Sequence, residues 1–294
     1  MKGRSQAILV MAALTILSWM LSLASLLAAA AVALPTLRRG GREGLWLIAG
    51  ALPVVALAGQ MIMGSAVQAG GFALAMWLPL LVIAMILRET ASLSMAVMAT
   101  VGLGILVVLG CYAVIGDPAA YWGETLGQAV RPMLEQRGAG GNEAALLQSM
   151  AVFARFATGA IAAGSVLTVL LSLFIARWWQ ASLYNPGGFR AEFLGLRMPK
   201  SLAGAFLLML AVAATGGGAG EIAANLSVPM FMAFLLTGFS VVHALCAGSP
   251  SGRFWLIGLY IGMMFMAPLL LLVALAGLTD AWLDWRRRLS ARRG

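Results

Sequence analysis

Apolar stretches long enough to cross a bilayer recur from one end of the chain to the other, and no water-soluble core could hide them all. The first, residues 7–34, is 28 residues long, and residues 45–63, 71–87, 91–115, 150–176, 222–246 and 254–278 follow it. A helix that crosses the hydrocarbon core needs about 20 predominantly apolar residues. None of the stretches alternates apolar with polar residues as a barrel strand does, and in lipid only helices and closed barrels satisfy every backbone polar group. The fold class is therefore all-α: a polytopic membrane helix bundle of about eight or nine membrane helices. A composition of 62% hydrophobic and 10% charged residues agrees.

The 19 lysines and arginines against 10 aspartates and glutamates give a net charge of +9. They cluster in loops and tails beside the apolar runs, where the positive-inside rule puts them. The charge thus marks orientation and attraction to anionic lipid, at about 1 kcal/mol per cation. Membrane lipid is the partner this implies, and nucleic acid is excluded. Cys111 and Cys246 are the only cysteines and have no CxxC or Cys/His spacing around them, so neither a disulfide nor a metal site is expected. Paired carboxylates, His/Cys clusters and nucleophile motifs are missing too, which points away from an enzyme and calls for no cofactor. The 18 methionines are spread through the spans without repeated spacing, as adaptable packing rather than a metal path.

Residues 7–34 are too long for one upright span and too short for two full ones. Lys2 and Arg4 precede them and Arg38, Arg39 and Arg42 follow, so both ends belong on the cytoplasmic side. A tight helical hairpin breaking near residues 21–25 reconciles length with charge. The basic start and the alanines at 28–31 also copy a signal peptide, but with so many later spans the reading is an uncleaved first helix. Gly116-Asp117-Pro118 ends the fourth apolar run. Residues 117–149 are acidic and form the extracytoplasmic loop, with Trp122 as an interfacial anchor and a break at Gly138-Ala139-Gly140-Gly141. Counting the hairpin as two, residues 1–176 make a six-helix membrane core. Residues 177–200 are a cytoplasmic basic and aromatic loop, 201–278 are C-terminal membrane helices, and 279–294 are a basic interfacial tail.

Small residues four apart, Gly159 with Ala163, Ala160 with Gly164 and Gly258 with Gly262, mark faces where helices approach closely, and Pro268 marks a kink in the last span. The glycine run at 216–220 lacks the GK[ST] ending of a phosphate loop and reads as a turn. Counting crossings raises a conflict. From Lys200 to Arg286 there are three apolar segments, an odd number, which would place the arginine tail opposite the equally basic central loop. Residues 201–215, short and followed by glycines, are the expected re-entrant or tilted element.

Polar groups inside apolar segments are costly and tend to be functional. Gln60, Arg155, Glu221, Asn225 and the lone His243 are therefore the candidate ligand-binding residues. Arg155 either faces protein, water or a partner, or snorkels to the headgroups. His243 either binds a ligand or relays a proton, or simply hydrogen-bonds a neighbouring helix. Arg177, Trp178, Trp179, Asn185, Arg190 and Arg197 in the central loop, with Trp282, Asp284, Trp285 and Arg286 in the tail, are candidates to meet lipid or a partner.

Five motifs in order, RRGGREGL, GDPAAYW, RWWQASLYNPGGFRAEFLGLR, VVHAL and GLTDAWLDWRRR, resemble the YybS-like family of bacterial inner-membrane proteins over nearly the whole chain. The resemblance implies a multi-pass protein of the inner membrane and brings no established activity. In layout, a short first hairpin, a glycine-bearing turn at residues 39–44 and a six-helix bundle, the chain is also similar to the substrate-capture subunits of energy-coupling-factor vitamin transporters and to the rod-shape protein MreD. The Gly-Pro common at that turn is absent. The layout implies small-molecule binding or uptake, with a membrane or cytoplasmic protein as partner. The alternative is a scaffold or assembly protein of the cell envelope with no transport activity.

Overall fold

The computed structural model describes residues 3–137, 143–247 and 249–290; Lys2 and the glycine break at 138–141 lie outside the described residues. Among the described residues there are thirteen helices and no strand. Five are long and apolar enough to cross a bilayer: α3 (Gly41–Met63), α4 (Ala66–Thr90), α5 (Leu93–Ile115), most of α7 (Glu143–Tyr184) and α10 (Gly217–Ala247). Four shorter apolar helices join them, α1 (Arg4–Ser18), α9 (Lys200–Ala213), α11 (Gly252–Phe265) and α12 (Pro268–Leu283). The remainder are α2 (Ser22–Arg39), α6 (Pro118–Arg137), α8 (Gly188–Leu194) and α13 (Trp285–Ser290). The segment read as an acidic loop is thus helical over most of its length, with the Asp117 carboxylate accepting from the Ala120 amide at the start of α6.

The chain forms two compact units, residues 1–100 with 167–196, and residues 101–166 with 197–294. This division by contacts differs from a division by hydropathy at residue 176, because α5 and α7 each give one end to either unit.

The first unit is built on α1 to α4. The hairpin is present, with its turn at residues 19–21, slightly earlier than the sequence suggests, and α2 continues through Pro35 to Arg39. The alanines at 28–31 that imitate a signal peptide are buried with Val32 and Ala33, and the surrounding core contains Met11, Leu47, Ala51, Val55 and Trp77. Single-methyl side chains let these helices approach closely, which in lipid is the main source of packing energy. One residue, Gly40 at φ +93°, joins α2 to α3. Arg88 of α4 donates to the Leu37 carbonyl at 2.8 Å, satisfying one of the carbonyls that the end of α2 leaves open. In the central loop, helix persists to Tyr184, and Gly187 at φ +87° turns the chain so that α8 folds back. Phe189 and Phe193 lie 5.7 and 6.0 Å from Phe174, and Glu192 pairs with Arg177.

The second unit centres on α10, which packs against α9 and α12. Its closest seam is glycine on backbone: Gly238 faces the carbonyl of Val273, and Gly277 faces that of Phe234. The Gly258 and Gly262 pair is not part of that seam, since Gly258 meets nothing and Gly262 faces only the Leu269 side chain. Residues 254–278, expected as one kinked span, form two helices. Pro268 has no N–H to give, its ring excludes the carbonyl four residues earlier, and Met266 is extended at φ −130°, so α12 starts afresh at the proline.

That split leaves α9, α11 and α12 at 14, 14 and 16 residues, each shorter than an upright span. Four helices, not three segments, lie between Arg197 and Asp284, and the Arg197 guanidinium grips both Asp284 oxygens at 2.9 and 2.8 Å. The start of α9 and the end of α12 therefore lie together.

Candidate functional site

The second unit buries one amide in apolar surroundings and satisfies it completely. Asn225, in the first half of α10, is 0% exposed. Its Oδ1 accepts from the Gly159 backbone amide of α7 at 2.7 Å, which fixes which end of the amide is oxygen. Its Nδ2 then donates towards the Arg155 carbonyl at 2.7 Å, the Glu221 carbonyl at 3.0 Å and the Tyr112 hydroxyl at 3.0 Å. Two N–H bonds shared among three acceptors leave the Tyr112 hydroxyl proton free to go elsewhere. It goes to the Glu221 carboxylate at 3.1 Å. The resulting chain runs from α7 through Asn225 and Tyr112 to Glu221, linking α5, α7 and α10. Gly159 is required at the crossing, because a Cβ there would stand 2.7 Å from the Asn225 carbonyl oxygen.

Beyond Glu221 the unit opens. A pocket of about 390 Å³ is lined by Arg155, Phe156, Ala213, Gly216, Gly217, Gly220, Glu221 and Ala224. It lies where α9 turns into α10, with the positive φ of Gly216 and Gly217 making the turn. Arg155 and Glu221 carry opposite charges on the pocket wall, and among the described residues neither forms an ion pair with the other. Two of the residues singled out from the sequence thus share one pocket, and a third, Asn225, fixes the backbone behind it.

The family model described as predicted membrane protein (DUF2232) matches residues 6–281. The chain belongs to that family. It has no match among curated proteins or solved structures. Membership in the family agrees with the apolar helices and places the protein in a membrane. It leaves the chemistry to the geometry of the family member in hand.

The other candidates do not line this pocket. Gln60 is exposed at the end of α3, where it donates to the Gly64 carbonyl at 3.3 Å and accepts from the Ala66 amide at 3.1 Å, holding the turn into α4. His243 Nε2 shares a proton with the Tyr260 hydroxyl at 2.7 Å, joining α10 to α11. In the central loop Trp178 is exposed, Trp179 half-buried, and Asn185 packs its amide against Gly188. Arg190, with Trp178, lines a separate shallow pocket of about 340 Å³. In the tail, Trp282 is exposed, Trp285 donates its indole N–H to Thr279 at 3.1 Å, and Arg286 pairs with Asp280 at 3.1 Å. The hydrogen bonds from Arg197 hold the Asp284 carboxyl below its ordinary range, while burial draws the Arg286 guanidinium down from its own. Tyr112, Trp122 and Thr158 escape a search for ionisable and amide groups. Tyr112 was nonetheless visible as the one tyrosine inside its apolar run, and Trp122, expected to anchor at the interface, donates to Thr158 at 2.9 Å.

Proposed function

We propose that this membrane protein binds a small zwitterionic molecule between Arg155 and Glu221 and serves its uptake. One observation carries the reading: a guanidinium and a carboxylate line the same pocket without neutralising each other. Glu221 is half-buried with the Tyr112 hydroxyl on its carboxylate and Arg155 is exposed, so both charged groups are open to a ligand that enters the pocket. A ligand with a carboxylate for Arg155 and an ammonium for Glu221 completes both. The Asn225 and Tyr112 chain supports the role by fixing Glu221 before the ligand arrives, so that ordering costs less on binding.

The test is a thermal-shift screen of the detergent-purified chain against amino acids and related zwitterions, with R155Q and E221Q beside the parent. One compound class stabilises the parent, and each variant loses the shift for that class. No stabilising zwitterion, together with recovery of a cell-envelope assembly complex rather than an ATPase module in a mild-detergent pull-down, replaces uptake by the scaffold reading.

A further inference from the structure

The first unit carries a second pocket of different chemistry. It encloses about 270 Å³ and is lined by Arg4, Arg38, Arg39, Glu43 and Tyr184 together with apolar residues that include Leu34, Leu47 and Leu183. Its carboxylate is already saturated. Glu43 is buried, takes a two-pronged grip from Arg4 at 2.7 to 3.1 Å, and accepts a further bond from Arg39 at 3.2 Å. Arg38 is then the surplus cation. Its guanidinium lies 4.3 Å above the centre of the Tyr184 ring, with no carboxylate partner among the described residues.

Three guanidiniums around one carboxylate leave the pocket strongly positive, and Glu43 serves to aim two of them. Planar N–H forks are matched to phosphate oxygens, which they hold with paired charge-assisted bonds. The opposite wall is hydrocarbon, and Leu183 at the rim is 65% exposed. A free anion has no use for such a wall. The volume is below the roughly 300–1,000 Å³ of sites that engulf a whole drug-sized ligand, so it accepts a headgroup while the chains remain outside. The arginines also mark this end of α1 and α2 as cytoplasmic, the leaflet whose anionic lipids attract them.

We infer that this pocket is a specific site for the phosphate headgroup of an anionic phospholipid, with Arg38 on Tyr184 as its principal contact. Native mass spectrometry of the delipidated full chain, titrated with phosphatidylglycerol or phosphatidylcholine, tests it. One phosphatidylglycerol is retained in preference to phosphatidylcholine, and inorganic phosphate at the same concentration does not displace it. R38Q weakens retention by about tenfold or more, the scale of a charge-assisted hydrogen bond to phosphate. R42Q removes an equal charge from an exposed neighbour outside the pocket and costs no more than the roughly fivefold of one cation near an anionic surface. Y184L leaves every charge in place and also weakens retention, so the site stays testable if R38Q fails to fold. Equal losses in R38Q and R42Q, or equal retention of the two lipids, overturn the site in favour of diffuse attraction. Displacement by inorganic phosphate overturns the lipid as its occupant.

Discussion

Asn225 and Gln60 are the same kind of side chain in the same kind of apolar segment, yet they do unrelated work. Gln60 stands four residues before Gly64, so the end of α3 claims it as a turn lock. Asn225 lies two turns into α10 against Gly159, and there an unbonded amide would be trapped. N225A removes a fully buried amide that bonds both the Gly159 N–H and the Arg155 carbonyl of α7, and its loss from the seam costs about 1–3 kcal/mol. A clear fall in the melting temperature in detergent is the expected readout, and an unchanged value would mean that water or another group takes over. Y112F removes the link to Glu221 and one of the three acceptors that Asn225 Nδ2 shares, so it lowers melting less than N225A does while weakening the ligand-induced shift. The sequence made Asn225, Glu221 and Arg155 legible because charge and amide groups stand out in an apolar run. It could not say that two of them line one pocket, since that depends on how α7 lies against α10.

Spacing motifs name a helix face without naming what it meets. Gly258 and Gly262 have the four-residue spacing of a close-packing face, but the seam that holds α10 to α12 uses one glycine from each helix, Gly238 and Gly277, and a single glycine has no spacing to read. The difference is measurable. G238A or G277A drives a methyl into opposing backbone, which cannot move aside as a side chain would, and destabilises by about 1–3 kcal/mol or more. G258A meets nothing within 4 Å and gains helix propensity, so its expected effect is neutral to about 1 kcal/mol stabilising. Thermal unfolding of the three variants checks the order, and a G258A as damaging as G238A would mean that Gly258 has a partner outside the chain. Pro268 was similarly half-legible. A proline in an apolar run announces a kink or a break, and the extended backbone of Met266 decides for the break.

At the scale of the molecule, hydropathy and charge identified a polytopic helical membrane protein and exposed a contradiction in sidedness, and the Arg197 and Asp284 pair brings the two basic ends together. Two consequences follow from the Arg197 and Asp284 grip. Single cysteines at Lys200 and Arg287, in a background without Cys111 and Cys246, are labelled by an impermeant reagent from the same side; opposite sides would require the pair to be broken. The second consequence concerns pH. Because the hydrogen bonds from Arg197 lower the folded-state pKa of Asp284, the unfolded chain takes up the proton first as pH falls. The stabilisation is therefore full above the unfolded carboxyl value of about 3.9 and disappears as pH drops through the lower folded value. D284N should melt about 1–3 °C below the parent at pH 7, as expected for a partly exposed pair. The gap should narrow below about pH 4, where the parent carboxyl begins to protonate. A gap that persists unchanged into acid would mean that the loss in D284N does not come from the carboxylate charge that Arg197 grips.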